Sequence, residues 1–192
     1  LVRAGHAVNA FDLSGEALTR AQENGCTTFT SVRDAVAGVD AIVSMLPNGK
    51  IVARVFEDDV LGHAPQGAIL LDCSTIDVAT ARQVTADAVA AGYDMVDAPV
   101  SGGIAAANAG TLTFMVGGTD TAFARAEPIL SNMGKAVIHA GASGTGQAAK
   151  ICNNMLLGAS MIATCETFAM AEKLGLDLQT FYDISSKASG QN

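Results

Sequence analysis

The stretch GTGQAAKICNN, residues 144–154, sets one lysine among small, apolar and amide side chains. Lys150, Asn153 and Asn154 are spaced i, i+3, i+4. On a helix that spacing puts all three on one face, a turn apart. A basic group and two amides on a shared face can hold a small polar molecule; the same trio can also be a solvated patch. Among small apolar neighbours, desolvation disfavours the charged form of a lysine. A lysine whose pKa falls from ~10.4 toward ~7–8 becomes a proton donor and acceptor at neutral pH. Gly144 and Gly146 allow close approach just before it. A plain surface lysine near a helix start is opposed by the macrodipole, which favours cations at the other end.

Four further stretches carry candidate chemistry. In DAPVSGGIAAANAGTLTF (97–114), Ser101, Gly102 and Gly103 follow a strand and precede a small-residue helix. The paired glycines let backbone N–H groups approach a ligand, and with the serine hydroxyl they can grip a carboxylate. A tight turn is the other reading. Asp12 ends the run AVNAFD. An acidic residue at the end of the second strand of a dinucleotide fold bonds the ribose hydroxyls. It disfavours a 2′-phosphate, pointing to NAD over NADP, and no arginine adjoins Asp12 to reverse that. A turn or helix-capping role before Leu13 and Ser14 is equally open. SMLPN (44–48) and DCST (72–75) follow apolar strands. Ligands of parallel sheets bind beyond the carboxyl ends of the strands, so Leu46, Pro47 and Thr75 would line a cofactor crevice. As isolated loops they would be ordinary connections.

The elements that must position these residues follow a rhythm. Short runs rich in Val and Ile (7–12, 40–47, 68–75, 94–100, 111–118, 136–141) alternate with helical stretches at 14–25, 77–92 and 120–134. That predicts an α/β fold with a mostly parallel, Rossmann-like sheet covered on both faces by right-handed crossovers. Gly117-Gly118 reads as a turn. From Thr145 the rhythm stops, and roughly thirty residues run without proline, apolar nearly all round. A helix greasy on every side is expected to be buried. At 1.5 Å per residue it would reach about 45 Å, more than the sheet needs. The expected division is 1–144, an incomplete dinucleotide-binding domain, and 145–192, a long linking helix with the beginning of an all-α domain. LVRAGHAV reads as a last helical turn, a Gly5 cap and a strand, and SSKASGQN stops without a terminal helix. The expectation is a fragment cut at both ends, lacking the Gly-rich turn that should precede Asp12.

Bulk composition narrows the function classes. The chain has 192 residues, 49% of them hydrophobic, and a net charge of −8. That is the composition of a packed fold, without the basic footprint of a nucleic-acid binder or a polybasic membrane segment. No apolar run reaches the ~18 residues of a membrane span. Cys26, Cys73, Cys152 and Cys165 form no C-x-x-C and read as buried free thiols in a reducing compartment. His6, His63 and His139 sit at no metal-ligand spacing, so no metal is expected.

Taken together, LVRAGHAVNAFD, DAPVSGGIAAANAGTLTFMVGG and GTGQAAKICNNMLL, in that order and over essentially the whole chain, resemble the β-hydroxyacid dehydrogenase family. With DCSTID they are most similar to its 3-hydroxyisobutyrate dehydrogenase branch. The resemblance implies that Lys150 is the catalytic acid/base. It implies that Asn154, with Asn153 adjacent, binds and orients the substrate, and that Ser101, Gly102 and Gly103 hold its carboxylate. Leu46, Pro47 and Thr75 would contact NAD, with Asp12 at the ribose. The implied activity of the parent protein is hydride transfer from 3-hydroxyisobutyrate to NAD, giving methylmalonate semialdehyde in valine catabolism. A reductase of tartronate semialdehyde or another short β-hydroxyacid is the alternative enzyme, and a non-catalytic relative that binds partners is the alternative of another class. The resemblance also implies a small-molecule substrate, no nucleic acid or membrane partner, and a homo-oligomer built through the long helix and C-terminal domain. The compartment would be cytoplasm, or mitochondrial matrix in a eukaryote. The fragment by itself is not expected to be a competent enzyme.

Overall fold

Short polar side chains start most of the helices by accepting a backbone N–H that the helix itself leaves free. The computed structural model describes residues 1–190. Ser14 caps α1 (Gly15–Glu23), Ser31 caps α2 (Val32–Val36), Asn48 caps α3 (Gly49–Val55) and Asp77 caps α4 (Val78–Ala90). Then α5 (Gly103–Ala109) opens on Gly102 without a side-chain cap. Thr119 caps α6 (Asp120–Leu130), α7 spans Thr145–Lys173, and Asp177 caps α8 (Leu178–Ser185). A 3₁₀ turn at Val2–Ala4 ends on Gly5 at φ 91°, a left-handed cap, and α3 runs on into a π turn, Phe56–Val60.

The strands give the expected α/β architecture. β1 (Asn9–Ala10) and β2 (Thr27–Thr28) form a parallel two-stranded sheet of their own. The main sheet holds β3 (Ala41–Ser44), β4 (Ile69–Asp72), β5 (Asp94–Asp97), β6 (Val100–Ser101), β7 (Leu112–Gly117) and β8 (Gly134–Gly141). β3, β4 and β5 are parallel neighbours, as are β7 and β8. β7 runs antiparallel to β5 and β6, which makes the sheet mixed. All four residues of β4 are buried. Leu70 and Met95 enter one core cluster with Val52, Phe56, Val84 and Tyr93. Leu71 and Val96 enter the other with Phe114, Val116, Ala126 and Leu130. Burial on both faces is why β4 reads as a continuous apolar run rather than an alternation.

The chain divides into two compact units, Leu1–Lys150 and a second beginning at Ile151. In the second unit the burial expected of the long apolar helix is not met. Its helical residues Met155, Leu156, Ile162 and Met170 are exposed, where an all-round apolar helix is expected to be buried. Among the described residues, apart from the continuation of α7, its only helix is the eight-residue α8, with Phe168 set edge-on against Phe181. That is too little surface to cover a helix of such composition. Among the described residues no helix is long and apolar enough to cross a membrane.

Candidate functional site

Apolar strands that end in aspartate put carboxylates where the sheet stops and the loops begin. In parallel register on β3 and β4, Ser44 lies opposite Asp72. Asp72 is 1% exposed. Its Oδ1 accepts from Ser44 Oγ at 2.7 Å, from Ser74 Oγ at 2.6 Å and from Ser74 N at 3.2 Å. Ser74 Oγ in turn accepts from Leu46 N at 2.8 Å. The loop after β3, which carries half-buried Leu46 and exposed Pro47, is thereby tied to the loop after β4, which carries exposed Thr75. Burial raises the Asp72 pKa above its ordinary value, against the three hydrogen bonds that lower it. Burial first, and the Asp72 charge second, push the Cys73 thiol up to about 12. That thiol is inert.

One strand over, Asp97 is opposite Asp72 and also 1% exposed. Its two oxygens face the start of α7: Oδ1 accepts from Gly144 N at 2.7 Å and Oδ2 from Gln147 N at 2.9 Å. Burial raises its pKa, and the two backbone donors pull the other way. Gly146 and Gly117 are needed here. A Cβ on Gly146 would meet Met115 O, Asp97 O and Asp97 Oδ2, and one on Gly117 would meet Asp97 Oδ1 and the amides of Thr145 and Gly146. Gly117, which reads as part of a turn in the sequence, is the last residue of β7 and makes room for this carboxylate. Gly144-Thr145-Gly146-Gln147-Ala148-Ala149 has the glycine spacing of a dinucleotide phosphate loop and follows a strand. Two amides at its helix start, those of Gly144 and Gln147, are already committed to the protein's own Asp97 carboxylate, and Thr145 N to Ala142 O, so these three are not free to cradle a phosphate.

Gln147 is fully buried and joins the two aspartate regions. Its Nε2 donates to Ser74 O at 2.7 Å, and its Oε1 accepts from Ile76 N at 3.1 Å. The side-chain amide brackets Thr75 as a neighbouring peptide would.

The structure thus brings Leu46, Pro47 and Thr75 to adjoining, hydrogen-bonded loops at the carboxyl ends of β3 and β4. Lys150 is half-buried on α7, one turn after Gln147, and pairs with no carboxylate among the described residues. Ser101 ends β6, and Gly102 and Gly103, at φ 127° and 65°, lead into α5. A Cβ on Gly102 would meet the Cβ of Ala106 at 2.5 Å, so the glycine there is required. Asp12 is exposed beyond β1, in the separate two-stranded sheet, and its Oδ1 accepts from Ser14 N at 2.7 Å in a local turn. Asn153 and Asn154 are exposed and belong to the second unit. Asp72, Ser74, Asp97 and Gln147 were not among the sequence-level candidates; the signal for the aspartates is an acid closing an apolar run, in AILLD and MVD. On the tied loops, exposed Pro47 and Thr75 and half-buried Leu46 carry no charge, so nothing in these three side chains repels the phosphates of a nicotinamide dinucleotide.

Residues 1–141 match the family described as the NAD binding domain of 6-phosphogluconate dehydrogenase. Residues 144–192 match the one described as NAD-binding of NADP-dependent 3-hydroxyisobutyrate dehydrogenase. A probable 3-hydroxyisobutyrate dehydrogenase of Mycobacterium bovis is 46% identical over 99% of this chain and 64% of its own length. The NAD-dependent L-serine dehydrogenase of Pseudomonas aeruginosa is 44% identical over the whole chain and 65% of its own. Among solved structures, Mycobacterium tuberculosis 3-hydroxyisobutyrate dehydrogenase with L-serine superposes with a TM-score of 0.95 at 46% identity, over 98% of this chain and 65% of that one. The chain spans slightly less than two thirds of the length of these relatives.

Proposed function

The chain belongs to the β-hydroxyacid dehydrogenase family, and from that membership we propose that its protein oxidises 3-hydroxyisobutyrate to methylmalonate semialdehyde with NAD. Lys150 Nζ takes the proton of the substrate's 3-hydroxyl as the carbon bearing it loses a hydride. The nicotinamide ring, when bound, accepts that hydride. Ser101 with the Gly102 and Gly103 backbone holds the substrate carboxylate, and Asn154, beside Asn153, orients the hydroxyl toward Lys150. Leu46, Pro47 and Thr75 receive the dinucleotide, and Asp12 bonds its ribose. Fixing the reacting groups in this way supplies a large part of such a rate.

The observation that carries the reading is the position of Lys150: half-buried, free of any carboxylate among the described residues, and one turn from the residue that grips the Thr75 loop. L-serine, itself a β-hydroxyacid, is the second reading, favoured by the serine dehydrogenase among the relatives and by the L-serine in the mycobacterial structure. The test is NADH absorbance with 3-hydroxyisobutyrate, L-serine, glycerate and 3-hydroxypropionate, each with NAD⁺ and NADP⁺. Preference for 3-hydroxyisobutyrate with NAD⁺ is expected. Lys150→Ala is expected to lower kcat by about 10²-fold or more while NAD still binds; near-normal turnover would remove Lys150 from the mechanism.

A further inference from the structure

Two parts of the proposed site lie on different elements: Thr75 on the loop after β4, and Lys150 on α7. One side chain bridges them. Gln147 donates to the carbonyl before Thr75 and accepts from the amide after it, so both hydrogen bonds fall on the residues flanking the cofactor-side threonine. Residues three apart on a helix are surface neighbours. The face of α7 that grips the loop is therefore adjacent to the face from which Lys150 projects. Behind Gln147, its own backbone N–H is held by Asp97, so the bridge is anchored at the β5 side as well. A buried amide with both ends satisfied is a rigid link, since moving either partner leaves a buried polar group unpaired.

We propose that Gln147 is a positioning residue that couples the cofactor-side loop at Thr75 to the helix carrying Lys150, so that dinucleotide binding at the loop sets the placement of the lysine. The proposal rests on the reading of Lys150 and Thr75 given above. Coupling of this kind is a free energy shared between two places, and it is lost when the link is cut even if each place is intact.

The experiment uses the full-length protein. Hydrogen exchange, read by mass spectrometry on peptides covering 74–77 and 144–150, is followed without and with NAD⁺ in the wild type and in Gln147→Met. In the wild type NAD⁺ slows exchange in both segments. In Gln147→Met the slowing persists at 74–77 and is lost at 144–150, and kcat falls about tenfold with the KM for NAD⁺ within about threefold. Should Gln147→Met not fold, Gln147→Glu serves. Its carboxyl still accepts from Ile76 N but donates to Ser74 O only when protonated, so its kcat relative to wild type rises as pH falls. The proposal is overturned by NAD⁺ protection at 144–150 in folded Gln147→Met, by a pH-independent Gln147→Glu ratio, or by a wild type in which NAD⁺ leaves 144–150 unchanged. Lys150→Ala, run alongside, separates the two ideas. An active Lys150→Ala sinks the catalytic reading while the exchange result still decides the coupling.

Discussion

Asp72 and Asp97 are opposite each other on adjacent parallel strands, equally buried, and both have pKa values raised by burial, yet they are held differently. Asp72 gathers three donors on a single oxygen, two of them hydroxyls that can rotate to donate or accept. Asp97 uses both oxygens, one for each of two fixed backbone amides. The first arrangement ties two loops together and tolerates a neutral side chain. The second fixes the start of a helix and has no room for a donor on either oxygen. The same residue type at the same strand position thus serves adjustable loops in one case and a rigid helix in the other.

The largest effect is expected where the Asp97 side is most crowded. Gly146→Ala drives a Cβ against Met115 O and the backbone and side chain of Asp97, and should cost about 3 kcal/mol in urea unfolding. A loss under about 1 kcal/mol would mean the helix start is not rigidly held. Asp97→Asn comes next. Turned either way, its amide nitrogen faces a backbone N–H, so a loss of about 1–3 kcal/mol is expected. An Asp97→Asn protein as stable as wild type would erase the contrast with Asp72. Asp72→Asn should be the mildest, because one amide oxygen can take all three donors. Its effect should also depend on pH. Since the folded state raises the Asp72 pKa, it binds more protons than the unfolded chain in mild acid. The stability the protonated form contributes is full below the ordinary carboxylate range and is lost as pH rises through the raised value. Asp72→Asn should therefore gain on the wild type in melting temperature between pH 4 and pH 7. A constant difference would show that folding does not raise the Asp72 pKa.

The alternation of strands and helices, the caps at Ser14 and Asp77 and the span of α7 were legible because periodicity and short polar caps are local signals. Elements α2 and α3 with its π turn were not, since VRDAV and GKIVARV are too short to show a period. The residues that resemble family motifs, Lys150 and Ser101 to Gly103 among them, were legible as types at a spacing. The hydrogen bonds that fix the helix start before Lys150 were not. Gln147 reaches Ser74 and Ile76 across more than seventy positions of sequence, and Asp97 reaches Gln147 across fifty. Only the folded sheet, by placing β4 beside β5, makes such partners neighbours.

That placement has a consequence for how the chain finds its fold. Strands buried on both faces lack the inside–outside contrast that usually prevents mispairing: Leu70 and Leu71, or Met95 and Val96, could trade faces at little hydrophobic cost. The aspartates remove that degeneracy. Sliding β5 by one residue would turn the Asp97 carboxylate to the opposite face and strand two helix amides without an acceptor. A pair of buried acids thus acts as a proofreading device, making the native alignment the one in which each buried acid finds its donors.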